Sequence, residues 1–104
     1  MQHHIFSVFD TKADAFLLPF FFATEGQAVR AIKDCVYDRD HMFGRHPADY
    51  SLFRLGTFED STGSVDLLPT PTVVACLIEL VPDATPLEEA IAAAGSKKED
   101  SNGA

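Results

Sequence analysis

Basic residues are scarce in this chain of 104: eight lysines and arginines stand against sixteen aspartates and glutamates, a formal net charge of −8. Tight binding to a phosphate backbone needs cations that displace condensed counterions, so this balance argues against strong nonspecific binding of nucleic acid. Cysteine is scarcer still. Cys35 and Cys76 lie far apart and in no C-x-x-C or metal-type spacing. That argues against a disulfide framework or a zinc knuckle and for two buried thiols in a reducing compartment. Long apolar runs are missing: nothing approaches the roughly 18 residues that cross a bilayer, and no segment combines basic residues, an apolar run and a small-residue cleavage site. The expectation is a soluble, intracellular protein without a membrane partner.

Catalytic signatures are lacking too. The six glycines are scattered, none in the G-x-G-x-x-G or G-x-x-x-x-G-K spacing of a phosphate cradle, and there is no G-x-S-x-G elbow. Cys35 falls inside a predicted helix rather than at its start, so nothing marks it as an activated nucleophile. His3 and His4 adjoin without a third ligand, and His41 and His46 flank a loop with Asp38 and Asp40 in no ligand pattern. Glu59 and Asp60 are neighbours ahead of a turn, where a strand points them to opposite sides and they do not easily cooperate as an acid/base pair. The expectation is no enzyme, no metal and no cofactor.

What the chain has in quantity is apolar surface: 46% hydrophobic residues, with nine phenylalanines. A chain of this length makes one domain that buries roughly two-thirds of its unfolded surface. Residues 4–10 and 15–22 read as an antiparallel pair joined by the polar 10–14 connection, with Pro19 demanding an edge or a bulge. Alternation puts Phe20 and Phe22 on one face and Phe21 on the other, and likewise sets Ile5 and Phe9 against Phe6 and Val8. Both faces of this hairpin are apolar, and each demands cover. Thr24-Glu25-Gly26-Gln27 is a capping box that opens a helix over about 25–37, with Ala28, Ile32, Cys35 and Val36 on its buried stripe. Residues 38–50 read as a loop with at most one helical turn. Residues 51–60 form a second extended run, with a turn at 61–64 and a short return strand at 65–67. Thr70-Pro71 is read as capping a brief helix through 72–81, although periodicity there also suits a strand. Thr85-Pro86-Leu87-Glu88 opens a further helix over 86–94 that stops at Gly95. The fold class is therefore α+β: a small antiparallel sheet of two hairpins packed with a central helix and a short C-terminal helical region. Residues 1–95 form the domain and 96–104 a disordered polar tail.

Two surfaces are candidates for function. One helix covers one face of the first hairpin, so the rings of Phe20, Phe21 and Phe22 need the 73–81 and 86–94 segments, a second copy in a homodimer, or a partner protein. Phe6, Phe9, Phe53 and Phe58 on neighbouring strands offer a stacking platform for single-stranded bases, although core packing is the stronger account of these rings. The second surface is cationic. Arg30, Lys33, Arg39, Arg45 and Arg54 fall within 30–54 and are the candidate DNA contacts, but Asp34, Asp38, Asp40 and Asp49 are interleaved with them, as on a mixed solvated surface.

Residues 4–36, above all Phe9-Asp-Thr-Lys-Ala-Asp-Ala-Phe16 and the Pro19-Phe20-Phe21 step, and residues 46–67, with His46-Pro-Ala-Asp-Tyr50 leading into Leu55-Gly-Thr-Phe-Glu-Asp60, carry a resemblance. They resemble the small nonstructural protein of gokushovirus-type microviruses, single-stranded-DNA phages of bacteria. The resemblance extends over about residues 4–68. It implies a non-capsid accessory factor of the host cytoplasm, likened to the protein of isometric coliphages that switches replication toward packaging of single strands. DNA binding is supposed for that family, and no catalytic residues carry over. With the acidic balance, contact with a viral replication protein or the procapsid is the expected route, single-stranded DNA binding the alternative and an assembly scaffold a third.

Overall fold

A computed structural model of the chain describes residues 1–82. The helix read over 86–94 and the tail at 96–104 lie outside the described residues. Strand β1 (Gln2–Asp10) is the centre of an antiparallel sheet, flanked on one side by two short strands, β2 (Ala15–Phe16) and β3 (Phe20–Phe22), and on the other by β4 (Tyr50–Glu59). Strand β5 (Ser64–Cys76) pairs with the far side of β4 and closes the sheet. The hairpin read over 4–10 and 15–22 is thus present but interrupted. Pro19 lies between β2 and β3 on the outer edge, where its missing N–H costs no ladder bond. The connection at 10–14 turns because the Asp10 carboxylate accepts the N–H groups of Lys12 (3.0 Å) and Ala13 (3.2 Å), and Asp14 takes the left-handed conformation (φ 55°) that aspartate tolerates.

Helix α1 (Glu25–Tyr37) has the expected bounds: the Thr24 hydroxyl accepts the Gln27 N–H at 3.2 Å, and Ala28, Ile32 and Val36 are buried. The segment at 38–50 holds a one-turn helix, α2 (Met42–Arg45), and a 3₁₀ turn at Pro47–Asp49, slightly more structure than expected. His41 starts α2 by accepting the Phe43 N–H on its ring Nδ1 at 3.0 Å. Gly44 lets α2 lie against the end of α1: a Cβ there would run into the Asp38 carbonyl oxygen and meet the Val36 carbonyl oxygen at 2.9 Å.

The reading of the C-terminal part needs correction. The return strand is not confined to 65–67, and 72–81 is not a helix: β5 runs to Cys76 and is followed by a 3₁₀ turn at Leu77–Leu80. The β-branched run Thr72-Val73-Val74 suits a pleated edge better than a helix. Pro71, which suggests a helix start, lies instead in a bulge, together with Pro69. The ladder passes from Gly56↔Leu67 to Arg54↔Thr72, leaving Pro69 and Pro71 in the unpaired stretch, where no N–H is needed. At this crossing β4 and β5 press together so closely that a Cβ on Gly56 would collide with the Asp66 carbonyl.

The core fills the space between one face of the sheet and α1. Phe6, Val8, Tyr50 and Leu52 from the sheet, Ala28, Ile32 and Val36 from α1, and Phe43 and Leu77 from the short helical turns form one buried cluster. Phe20 and Phe22 pack against it from β3. Each large side chain so buried contributes about 1.5–3 kcal/mol.

Candidate functional site

The face of the sheet opposite α1 is built by register. Residues directly opposite on antiparallel strands share a face. The pairs Phe21↔Ile5, Phe16↔Phe9, Ser7↔Phe53 and His3↔Phe58 therefore place Phe9, Phe16, Phe21, Phe53 and Phe58 together, away from the helix. Strand β5 extends this face with Val65 opposite Phe58, Leu67 opposite Gly56 and Val73 opposite Phe53. The rings form two clusters. Phe9, Phe16 and Phe53 meet edge to face, with centroids 5.0 to 6.4 Å apart; Phe21 and Phe58 meet the same way at 5.8 Å. Beside the second cluster His3, Phe21 and Phe58 line a shallow apolar depression of about 350 Å³. Beneath the rings Ile5 is buried, and Ser7, with no exposure at all, donates its hydroxyl to the Leu17 carbonyl at 2.6 Å.

Among the described residues, none covers the outer surface of this face. Phe16 is 42% exposed, Phe21 50% and Leu67 69%, a contiguous apolar area that single scattered hydrophobic residues do not make. Segment 73–81, expected as part of the cover, does not supply it. Residues 73–76 are a strand of the same sheet, and Leu77 is buried on the α1 side. The three consecutive phenylalanines are divided: Phe20 stacks on Phe6 at 6.2 Å within the core while Phe21 lies on the open face. Of the four rings considered as a stacking platform, Phe9, Phe53 and Phe58 share the open face and Phe6 is fully buried on the other.

Charge borders this face at one end. The amino group of Met1 donates to Glu59 (2.8 Å) and Asp60 (2.6 Å), and His3 Nε2 lies 2.9 Å from Asp60. The hydrogen bonds to Asp60 and Glu59 hold the amine above its ordinary value, and the amine in turn holds both carboxyls below theirs.

The five candidate cations are elsewhere. Arg30 and Lys33 are exposed on α1, with Arg30 beside Thr24, Gln27 and Asp34 in a solvated furrow. Arg39 follows the helix, and Arg45, which ends α2, donates to the Asp40 carbonyl at 2.6 Å. Arg54 is half-buried on the helix side of the sheet, opposite Phe6, with its guanidinium 3.4 Å from His4 Nδ1. Among the described residues none of these five has a carboxylate within 4.0 Å, the three ion pairs there all involving Met1 or His3. The structure therefore does not bring them to the rings. Burial, helped by Asp34 and Asp38, pushes the Cys35 thiol up, the opposite of activation. No cluster of three or more His, Cys, Asp or Glu gathers for a metal, and no helix is long and apolar enough to cross a membrane, both among the described residues.

The open-face residues that sequence reasoning missed are Phe16, Val65, Leu67 and Val73. The signal for 65 and 67 is their alternation, and for 73 it is hidden because Thr70-Pro71 also suits a helix start rather than a bulge in a continuing strand. No curated protein and no solved structure matches the chain. The family model described as Phage ORF5 protein matches residues 3–80, which take in α1 and all of the sheet but Gln2, and the chain belongs to that phage protein family.

Proposed function

We propose that this chain is a non-enzymatic accessory protein of a gokushovirus-type microvirus, acting in genome replication or packaging through contacts with a viral protein, the replication protein or the procapsid. The observation that carries this reading is the separation of rings from cations. A module that holds single strands by stacking sets aromatic platforms beside a cationic groove. Here Phe9, Phe16, Phe21, Phe53 and Phe58 occupy one side of the sheet, whereas Arg30 and Lys33 ride on a helix packed against the other. At one end the rings are bordered by two carboxylates that repel phosphate, Glu59 and Asp60, against the single Met1 amine. With a net charge of −8, an apolar contact to protein is favoured over a polyanion.

The test is in two parts. A labelled single-stranded oligonucleotide titrated at low and moderate salt is expected to show no binding. Affinity at low salt that falls steeply with added salt supports DNA binding and counts against this reading. A pull-down from infected cells is expected to retain the replication protein or coat protein after nuclease treatment, and capture that vanishes with nuclease overturns it.

A further inference from the structure

We propose that the open face of the sheet is covered by the same face of a second copy, making the chain a face-to-face homodimer. The inference goes beyond the accessory role and concerns the same face: a second copy takes it, and a viral partner then meets the dimer rather than the rings. Its first support is charge. The residues that the register places on this face, from His3 and Ile5 through Phe58 to Val73, include no carboxylate and no lysine or arginine. On a chain of net charge −8, such a face can meet its own image without like-charge cost. Glu59 and Asp60 sit at one end, neutralised in part by the Met1 amine. The 10–14 turn at the other end holds Asp10 and Asp14 with Lys12, so charge flanks the face at both ends and the uncharged stretch between them is what the two copies share.

Area is the second support. The sheet is four strands wide at the face. With strands about 4.8 Å apart and about 3.3 Å of rise per residue over the length of β1, the footprint is on the order of 600 Å² per copy. Two such faces bury on the order of 1,200 Å², the lower bound of stable specific interfaces. The two ring clusters supply the aromatic anchors that such interfaces concentrate at their centre.

The chain's own remaining segment fits less well. Val81 and Pro82 line a furrow with Val36, Tyr37 and Gly44 at the end of α1, on the side of the sheet away from the rings. Residues 83–104 contain only Leu87 and Ile91 as large aliphatic side chains, together with five carboxylates and two lysines. Two aliphatic residues cannot shield five phenylalanines.

Sedimentation equilibrium of the full chain across the micromolar range is expected to give twice the 11.4 kDa mass. Leu67→Glu and Val73→Lys each place a charge at an exposed point of the face without touching the core. Each is expected to weaken the dimer by at least about tenfold while leaving the melting temperature of the dissociated chain unchanged. A wild-type chain that sediments as a monomer at every concentration overturns the proposal, whether its rings are then covered by residues 83–104 or by another phage protein. A dimer that both substitutions leave intact overturns it as well, because its interface then lies elsewhere.

Discussion

At the scale of single residues, the most exacting requirements are those for empty space and for paired charge. Gly44 allows α2 to approach the Asp38 carbonyl, and the atoms that a Cβ would meet belong to backbone that cannot swing aside. Gly44→Ala is therefore expected to destabilise by about 1–3 kcal/mol, the range for overpacking, read as a lower urea midpoint with an unchanged slope. The clamp between the Met1 amine and the carboxylates of Glu59 and Asp60 makes a different prediction. The amine is raised from an ordinary 8.0, so its contribution is complete below that pH and is lost as pH climbs through the higher folded value. Glu59 and Asp60 are lowered from 4.5 and 3.8, so theirs is complete above those values and is lost as pH falls through the lower folded ones. Melting temperature against pH should thus show a plateau between these limits and fall off on both sides. Acetylating the amino terminus should abolish the alkaline fall, and added salt should flatten both, since the groups are exposed.

At the scale of elements, α1 and β5 show what the sequence discloses and what it hides. The helix was legible because two local signals agree: a threonine with a cap bond to Gln27, and an apolar stripe at 28, 32 and 36 that needs no knowledge of its neighbours. Thr24→Ala should cost about 1 kcal/mol, the ordinary worth of such a cap. The first hairpin was legible for a similar reason, its alternation surviving the break at Pro19. Strand β5 was not, because its course depends on a partner. Pro69 and Pro71 stop a strand that must donate at every residue, yet they are harmless where β4 and β5 fall out of step opposite Leu55. Only the pairing distinguishes the two cases. The same error concealed the 3₁₀ turn and the role of Leu77, fully buried against α1 and β4. Leu77→Ala is expected to cost about 2–5 kcal/mol, several times the loss at Thr24, and thermal unfolding of the two variants side by side measures the ratio.

At the scale of the whole molecule, function turns on the fact that greasy and cationic surfaces lie on opposite sides. Composition had argued against strong DNA binding but left the local cluster at 30–54 open, because sequence order does not say which way a helix or strand will turn its charges. The fold disperses that cluster. Arg30 and Lys33 look outward from α1, Arg39 and Arg45 gather at its end, and Arg54 is tucked beside His4 on the helix side of the sheet. Reversing the two helix charges separates the readings. Arg30 and Lys33 meet no carboxylate within 4.0 Å among the described residues and are solvated, so Arg30→Glu/Lys33→Glu should change stability by no more than about 0.5 kcal/mol. If the protein works through protein contacts at an apolar surface, the doubly substituted chain still captures its viral partner after nuclease treatment. If these cations hold phosphate, each loss removes a released counterion. Residual oligonucleotide affinity at low salt then collapses, and the slope of log affinity against log salt becomes shallower by roughly 0.7 per phosphate contact for a single strand. Measuring both quantities on one folded variant decides between a partner protein and the genome.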